Sequence, residues 1–286
     1  MTLRSKPVYY VSDEFLAHLI EEDVPYGDAT VRLLGIERVP GKITCFPKED
    51  CVVSGITLAE RLFRMTGLEV ERLAEDGARL AGRTPVLRAT GPAGAIHAVY
   101  KTAQNVMEYC SGISTRARAM VDAAQAVNPA CQVVTTRKHF PGTKTLALYA
   151  AQAGGALVHR TGLSESILVF DQHRVFTDPA LLKDIAALRV RDPERKIAVE
   201  AGSLEEALTF ARSGADIVQC ERFTPEEVRL LKSALLQEKY RTLISAAGGV
   251  NAANAADYAT AGADFLVTTA PYFGRPADIK MQIERQ

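Results

Sequence analysis

The chain has 286 residues, 47% of them hydrophobic and 24% charged, a balance typical of a globular protein and far from that of a disordered one. Its 34 Lys and Arg residues equal its 34 Asp and Glu residues, so the net charge favours binding neither to nucleic acid nor to an anionic membrane. Any selectivity for charged ligands must therefore be local.

The cysteines and the hydropathy of the chain predict its compartment. The five cysteines are scattered and none forms a C-x-x-C pair, which favours a reducing compartment and argues against a zinc site. Residues 1–10 lack the apolar core of a signal peptide, and no apolar run approaches the ~20 residues that cross a bilayer. We therefore expect a cytoplasmic protein without membrane insertion.

The first part of the chain alternates short strand-like and helix-like segments. Strands are predicted at Lys42–Phe46, Cys51–Gly55, Leu68–Leu73 and Thr84–Thr90, and helices at Leu58–Thr66 and Ala95–Gly112. This order predicts a separate α+β domain over residues 1–111. A barrel domain is expected over residues 112–274, followed by a C-terminal tail at 275–286 that can return to the first domain.

From residue 133 onward, buried apolar runs alternate with segments of helical spacing. The predicted strands are Val133–Arg137, Ala156–Arg160, Ser166–Phe170, Lys196–Ala201, Asp216–Glu221, Thr242–Gly248 and Asp264–Thr269. Alternation of this kind predicts a parallel sheet of the α/β class. The repeat length favours a (β/α) barrel, and seven strands are too few for a regular eight-stranded one, although periodicity alone does not exclude a doubly wound sheet.

Basic side chains cluster between residues 133 and 174. Five cations, Arg137, Lys138, Lys144, Arg160 and Arg174, stand against the two acidic residues Glu165 and Asp171. The Arg137-Lys138 and His159-Arg160 pairs end two successive predicted strands, and in a barrel the carboxyl ends of the strands share one face. The pattern predicts an anion-binding pocket. For any one of these cations alone, a solvated strand end would be the better interpretation.

Three further positions at strand ends suit a phosphorylated ligand. Glu200 and Glu221 each end a predicted strand, and such carboxylates can bind Mg²⁺ or accept hydrogen bonds from ribose hydroxyls. Salt bridges to Arg137 or Arg160 would explain them equally well. Gly248-Gly249 follows another strand, where backbone N–H groups can hold a phosphate, although a double glycine also serves as a simple turn.

Several motifs resemble those of the quinolinate phosphoribosyltransferase family. Residues 135–142 read T-T-R-K-H-F-P-G and residues 159–166 read H-R-T-G-L-S-E-S, similar to the T-R-K-x-x-P-G and H-R-x-G-L-S-[DE] motifs of the family. Glu22-Asp23 with residues 27–30 resembles its E-D…G-D-x-T element, and residues 111–115 resemble its S-G-I-A-T. The resemblance covers nearly the whole chain.

The resemblance implies a fold, two substrates and a set of roles. It implies an amino-terminal α/β sandwich, an open-faced barrel of fewer than eight strands, and a homodimer in which the first domain covers the partner's barrel. The substrates would be phosphoribosyl pyrophosphate (PRPP), with Mg²⁺ as cofactor, and a heteroaromatic acceptor. Arg137, His159 and Arg160 match the acid-substrate and phosphate pocket. Lys138, Glu200 and Glu221 match the catalytic and PRPP-binding groups, and the two glutamates also match the Mg²⁺ ligands. Gly248-Gly249 matches the ribosyl-phosphate loop.

The departures from the family pattern point to its ModD branch, which is associated with molybdenum transport. Phe170 stands where quinolinate enzymes carry a lysine, Lys101 where an arginine reaches the partner's pocket, Glu221 where they have aspartate, and Ala198 where they have a first glutamate. An unpaired buried carboxylate is costly. Loss of a cation at Phe170 therefore predicts an acceptor that is less anionic or larger than quinolinate.

The expected activity is that of a pentosyltransferase, a pyrophosphorylase related to nicotinate-nucleotide diphosphorylase. Two alternatives stay open at this point. A barrel lyase would need a Schiff-base lysine on a strand, for which Lys138 is the candidate. A non-catalytic protein that binds an oxyanion or nucleotide for the transport system would also use the basic pocket.

Overall fold

The structure is a computed structural model that describes residues 9–177 and 185–286. The chain forms two compact units. The first holds the chain up to Arg118 together with His139–Gly155 and Pro271–Gln286, and the second holds Ala119–Lys138 and Ala156–Ala270. None of the helices in the described ranges is long and apolar enough to cross a membrane.

The strands of the described residues are β1 Pro40–Pro47, β2 Cys51–Val52, β3 Glu69–Arg72, β4 Arg79–Leu80, β5 Leu87–Pro92, β6 Gln132–Thr135, β7 Leu157–Val158, β8 Ile167–Val169, β9 Ile197–Ala201, β10 Ile217–Glu221, β11 Leu243–Ala247, β12 Phe265–Thr268 and β13 Ile279–Arg285. The helices are α1 Asp13–Asp23, α2 Ala29–Leu34, α3 Ile56–Met65, α4 Ala93–Val127, α5 Lys144–Ala153, α6 Asp171–Arg174, α7 Ile185–Arg189, α8 Leu204–Arg212, α9 Pro225–Gln237 and α10 Ala255–Thr260.

The first unit is built on an antiparallel sheet in the order β13-β1-β5-β3. Strand β1 alternates buried and exposed residues, so Ile43 and Cys45 enter the core while Lys42 and Thr44 lie on the other face, as period-two patterning requires. Helix α3 covers the apolar side with Leu62 and Phe63, both fully buried.

The C-terminal segment, which the sequence predicts only as a tail, forms a strand. Strand β13 pairs antiparallel with β1, from Gly41 opposite Arg285 to Pro47 opposite Ile279. Its buried residues are Ile279 and Met281, and they pack into the core of the first unit. The end of the chain therefore completes the edge of the first sheet.

Helix α4 is longer than predicted, and the expected end at Gly112 is wrong. The helix runs through Gly112 to Val127 without a break. A Cβ atom on Gly112 would lie 2.7 Å from the carbonyl oxygen of Arg275, so this glycine permits close approach of another backbone segment rather than ending the helix. A glycine inside a helix costs only about 1 kcal/mol relative to alanine, which the packing here offsets.

The second unit confirms the predicted parallel sheet. Its seven strands within the described residues follow the order β7-β6-β12-β11-β10-β9-β8, and all pairs are parallel. Strands β7 and β8 form its two edges, so the barrel is open rather than closed. The chain is therefore an α/β protein with an incomplete barrel and a separate antiparallel sheet.

Local signals fix where the barrel helices begin. The Ser203 hydroxyl accepts a hydrogen bond from the N–H of Glu206 at 3.2 Å, which caps α8. Thr224 and Glu227 form a reciprocal capping box with Pro225 as the first helical residue of α9. Both caps satisfy backbone donors that a helix start leaves unpaired.

Candidate active site

One cavity of about 1060 Å³ lies at the carboxyl ends of the barrel strands. All seven strands of the described sheet end at it, because each contributes a residue from one of its last two positions or from just beyond its end. The lining includes Arg137, Lys138, His159, Arg160, Phe170, Glu200, Glu221, Gly248 and Gly249. The sequence named all nine of these residues as parts of a site, and the fold brings them together.

Cations occupy one side of the cavity. Arg160 is buried, with 7% of its surface exposed, while Arg137 and Lys138 are exposed. Burial lowers the pKa of Arg160, and the neighbouring Arg137 lowers it further. Burial also lowers the pKa of His159, with a smaller contribution from the charge of Arg160. The lowered pKa favours the neutral imidazole form of His159, and on this side of the cavity Arg137, Lys138 and Arg160 carry the positive charge.

Phe170 forms an aromatic wall beside these cations. The guanidinium carbon of Arg160 lies 5.3 Å from the centre of the Phe170 ring, within cation–π range. On the ring of Phe170, His173 stacks at 5.0 Å and 24°, and the Phe170 N–H donates to His173 Nδ1 at 3.1 Å. The ring thus replaces a cation with an apolar surface held between two neighbours.

Carboxylates occupy the opposite strands. Burial raises the pKa of Glu200, and the nearby charge of Glu221 raises it further. Gln219 donates from Nε2 to Glu200 Oε2 at 2.9 Å. In the parts of the chain that the structure describes, no ion pair links Glu200 or Glu221 to Arg137 or Arg160, so the salt-bridge interpretation of these glutamates is wrong. Glu221 Oε1 instead lies 3.7 Å from Nε of Arg222, and no ion pair holds Glu200 within the described residues.

The donor set at Glu200 and Glu221 suits Mg²⁺. Within residues 9–177 and 185–286 there is no group of three His, Cys, Asp or Glu side chains that could hold a metal alone. Mg²⁺ however is commonly held by one or two carboxylates together with substrate phosphates. Two neighbouring carboxylates in a cavity that also contains phosphate-binding groups fit that pattern.

The Gly248-Gly249 turn offers backbone donors to the cavity. Both glycines have positive φ, +84° and +87°, a conformation that side chains disfavour. Their N–H groups donate no hydrogen bond to any described residue. Asn251 and Asn254 donate from their side-chain amides to the Gly249 carbonyl at 3.0 and 3.1 Å. The turn is therefore held in shape while its amides stay available, which suits a phosphate.

Three predicted cations lie elsewhere. Lys101 is exposed on α4, and its Nζ donates to Gln104 at 2.8 Å; it is not part of the cavity lining. Arg174 is held by Glu206 at 3.0 Å and by Asp171. Lys144 begins α5 in the first unit. The local excess of positive charge therefore reaches the cavity only through Arg137, Lys138 and Arg160.

Sequence reasoning missed several polar residues of the lining. Gln219 lies two residues before Glu221 on the same strand, and Thr268 and Thr269 end β12 as the basic pairs end β6 and β7. A polar residue at every second position of a buried strand is a signal that could have found Gln219. For the two threonines, the signal that could have found them was their position at the end of a predicted strand.

An open α/β barrel whose strand ends join cations, paired carboxylates and a glycine turn has the arrangement of an α/β-barrel enzyme, whose active site lies at the carboxyl ends of the strands. Family models agree. The amino-terminal domain model of quinolinate phosphoribosyl transferase matches residues 28–111, and the carboxy-terminal domain model of the same enzyme matches residues 113–282. The chain belongs to the quinolinate phosphoribosyltransferase family.

Individual relatives support the same placement. The chain is 42% identical over 250 residues to "Putative pyrophosphorylase ModD" of Rhodobacter capsulatus, covering 87% of this chain and 96% of that protein. It is 29% identical over 283 residues to "Probable nicotinate-nucleotide pyrophosphorylase [carboxylating]" of Synechocystis, covering 98% of this chain and 95% of that protein. The nicotinate-nucleotide pyrophosphorylase structure from Francisella tularensis matches with a TM-score of 0.87 at 20% identity, covering 98% and 100%. The identities place the chain nearer the ModD proteins, as the sequence predicts.

Proposed function

We propose that the protein transfers the phosphoribosyl group of PRPP to a ring nitrogen of an aromatic heterocycle. The observation that carries this proposal is one cavity in which Arg137, Lys138 and Arg160 face two glutamates and a glycine turn. PRPP carries a 5′-phosphate, a pyrophosphate and ribose hydroxyls, and each has a matching group in this cavity. The family supplies the reaction class, and the site supplies the reason to expect activity in this chain.

The proposed pose of PRPP follows from where the groups lie. The 5′-phosphate lies on the amides of Gly248 and Gly249, which are unpaired within the described residues. The pyrophosphate lies near Lys138. Glu200 and Glu221 accept from the ribose hydroxyls or hold Mg²⁺, which when bound neutralises charge on the pyrophosphate oxygens.

In the proposed reaction, a ring nitrogen forms a bond to C1′ while the bond from C1′ to the pyrophosphate oxygen breaks. The pyrophosphate leaves with the bonding electron pair. Because positive charge develops on the sugar and negative charge on the leaving group, catalysis rests on positioning and on Lys138 beside the departing oxygens. Arg160, His159 and Arg137 orient the acceptor.

We propose that the acceptor is not quinolinate. Arg160 is packed against Phe170 at 5.3 Å, at the position where quinolinate enzymes are expected to carry a lysine. A dicarboxylate would lose one cationic partner there and meet an aromatic face, and an unpaired buried carboxylate is destabilising. A less anionic heterocycle avoids that cost.

A screen for pyrophosphate release tests the activity. The purified protein is incubated with PRPP, Mg²⁺ and single aromatic nitrogen heterocycles, with quinolinate as the reference acceptor. We expect PRPP to bind in calorimetry. We expect pyrophosphate release with at least one heterocycle, and little or no release with quinolinate. PRPP binding without release by any acceptor would favour a non-catalytic binding protein, and covalent trapping of Lys138 by borohydride would favour a lyase.

Restoring the cation tests the acceptor hypothesis. Phe170→Lys is expected to raise kcat/KM for quinolinate by on the order of tenfold or more, because a charged partner for a buried carboxylate contributes about 1.5–3 kcal/mol. Phe170→Met, which keeps an apolar side chain, serves as the control and should not do so. A normal quinolinate kcat/KM in the unchanged protein would end this part of the proposal.

The same proposal includes a cytoplasmic homodimer in which Lys101 of one subunit reaches the cavity of the other. Lys101 is exposed, 2.8 Å from Gln104 Oε1, and so is available to a second chain. Its support is the family resemblance at this position together with the absence of Lys101 from the cavity lining of its own described chain.

A further inference from the structure

Gln219 belongs to the cavity lining and carries a buried hydrogen-bonding atom that has no partner among the described residues. The residue lines the cavity and only 6% of its surface is exposed. Its Nε2 donates to Glu200 Oε2 at 2.9 Å. Its Oε1 is buried and accepts no hydrogen bond from the residues that the structure describes.

The hydrogen bond to Glu200 decides which end of the amide is free. An ionised carboxylate can only accept, so the NH₂ end of Gln219 must face Glu200 and the carbonyl oxygen must face away. The opposite orientation would place two acceptors together. A buried acceptor without a partner destabilises a folded protein, so its presence beside a cavity points to a donor that arrives with a ligand.

The depth of Gln219 indicates which substrate supplies that donor. In the parallel sheet, Gln219 is aligned with Glu200 on one side and with Ser245 on the other, two residues further into the barrel than Glu221. The phosphate-binding turn and Lys138 lie beyond the strand ends. Leu168 and Val267, which line the same cavity and are nearly buried, offer apolar surface. A flat ring with one polar substituent fits such a surface.

We propose that Gln219 is a specificity-determining residue whose carbonyl oxygen accepts a hydrogen bond from an N–H, NH₂ or O–H group on the heterocyclic acceptor. The inference rests on the proposed phosphoribosyl transfer, because that reaction identifies the bound heterocycle as the acceptor. It narrows the acceptor class to heterocycles that donate a hydrogen bond. A ring bearing only ionised carboxylates, such as quinolinate, brings no donor and sets negative oxygens against Oε1.

The test uses isosteric ligand pairs that differ only in the donor. Nicotinamide is compared with 3-acetylpyridine, and 4-aminopyrimidine with 4-methylpyrimidine, by ligand-observed NMR titration of the full chain without PRPP. In the unchanged protein, the donor-bearing member of at least one pair should bind about tenfold more tightly or better, since the alternative leaves Oε1 unpaired. In Gln219→Met, which has a similar length and no hydrogen-bonding groups, that ratio should fall to about one.

Ser54→Ala is the matched control. Ser54 Oγ is also buried and without a hydrogen-bond partner among the described residues, but Ser54 is neither part of the cavity lining nor aligned with Gln219 in the sheet. This variant should keep the donor preference. Gln219→Leu replaces Gln219→Met if thermal unfolding shows that the methionine variant does not fold.

The outcomes separate this inference from the proposed function. Equal binding within both pairs in the unchanged protein would overturn the inference, because Oε1 would then need no donor from a ligand. A preference that survives in the Gln219 variants would also overturn it, because another group in the cavity would then recognise the donor. Calorimetric titration with PRPP and Mg²⁺ is run on the same proteins. Failure of PRPP to bind would contradict the proposed function while leaving the donor preference to be judged on the heterocycle titrations alone.

Discussion

Arg160 is the side chain whose burial makes the clearest demand for an anionic partner. It is 7% exposed, stacks on Phe170, and has no carboxylate partner within the described residues. A buried arginine without a counterion is unfavourable unless a ligand supplies the charge. The burial of Arg160 therefore favours binding of an anionic ligand, and substitution of this residue tests that expectation.

Arg160→Ala is expected to lower kcat/KM by about thirtyfold or more, because a buried charged contact contributes about 2 kcal/mol to transition-state binding. The measurement is pyrophosphate release with the acceptor that the screen identifies. Arg174→Ala is the control, since Arg174 is held by Glu206 and Asp171 and does not line the cavity. Equal kinetics for Arg160→Ala and the unchanged protein would remove Arg160 from the site.

Glu200 shows the cost of keeping a carboxylate in the cavity. Burial and the charge of Glu221 raise its pKa, so the folded protein holds this proton more tightly than the unfolded chain. The stability that the protonated carboxyl contributes is complete at low pH and is lost as pH rises through the raised pKa. At neutral pH the ionised group therefore destabilises the fold.

Glu200→Gln should raise the melting temperature at neutral pH, by roughly 2 °C for each kcal/mol of relief in a chain of this size. Because glutamine resembles the protonated acid, the difference should shrink toward about pH 4, near the reference pKa of a glutamate. The same variant should lose affinity for PRPP with Mg²⁺ in calorimetry. A melting temperature that falls at neutral pH would show that Glu200 stabilises the fold instead.

At the scale of elements, the glycine turn after β11 does more than reverse the chain. A Cβ atom on Gly248 would lie 2.7 Å from Glu221 Oε1 and 2.9 Å from the Arg222 backbone nitrogen. The turn therefore packs directly against the carboxylate of Glu221 and the backbone of Arg222. Gly249 has the same backbone conformation, but a Cβ atom there would meet nothing within 4 Å.

These two glycines form a matched pair of variants. Gly249→Ala should cost about 1–2 kcal/mol of stability from the positive φ alone and change PRPP affinity little, because its N–H remains. Gly248→Ala adds a clash that displaces Glu221, so PRPP affinity should fall by about tenfold or more as well. Thermal unfolding and calorimetry report the two effects separately. Equal PRPP affinity in the two variants would contradict the proposed contact.

The elements also show what sequence patterns can and cannot predict. Strong apolar runs placed all seven strands of the parallel sheet, and with them the strand ends that carry Arg137, Arg160 and Glu200. The end of α4 and the existence of β13 depend instead on contacts between distant segments, such as Gly112 against Arg275 and Gly41 opposite Arg285. Local propensity does not contain that information.

The residues of the candidate site also divide into those that the sequence predicts and those that only the structure identifies. The basic pairs were found because charges at the ends of buried strands are unusual, and the resemblance gave them roles. Gln219 was missed because one polar residue in an apolar strand has many explanations. Its spacing two residues before Glu221 is visible in the sequence, but its hydrogen bond to Glu200 and its unpaired Oε1 are visible only in the structure.

At the scale of the whole molecule, the cavity lacks the cation that the family resemblance assigns to it from a second chain. Lys101 does not line the cavity of its own described chain. If a twofold dimer supplies it, every site is built from two subunits, and each subunit contributes one barrel and one Lys101. Activity should then depend on assembly, and size measurements should find two chains in the active species.

Subunit mixing tests that arrangement directly. Lys101→Ala and Arg160→Ala should each be nearly inactive as pure proteins, because every site then lacks one cation. In a mixed dimer, the barrel of the Lys101→Ala chain has an intact Arg160 and receives an intact Lys101 from its partner, so one site of two is complete. Random mixing of equal amounts makes half of the dimers mixed, and about a quarter of the original activity should return. Lys48→Ala, which alters an exposed ion pair with Asp278, serves in place of Lys101→Ala as the control, and its mixture with Arg160→Ala should keep about half of the original activity whether or not the subunits exchange. A mixture of Lys101→Ala and Arg160→Ala that stays inactive, although exchange is shown by labelled subunits, would place Lys101 outside the partner's site.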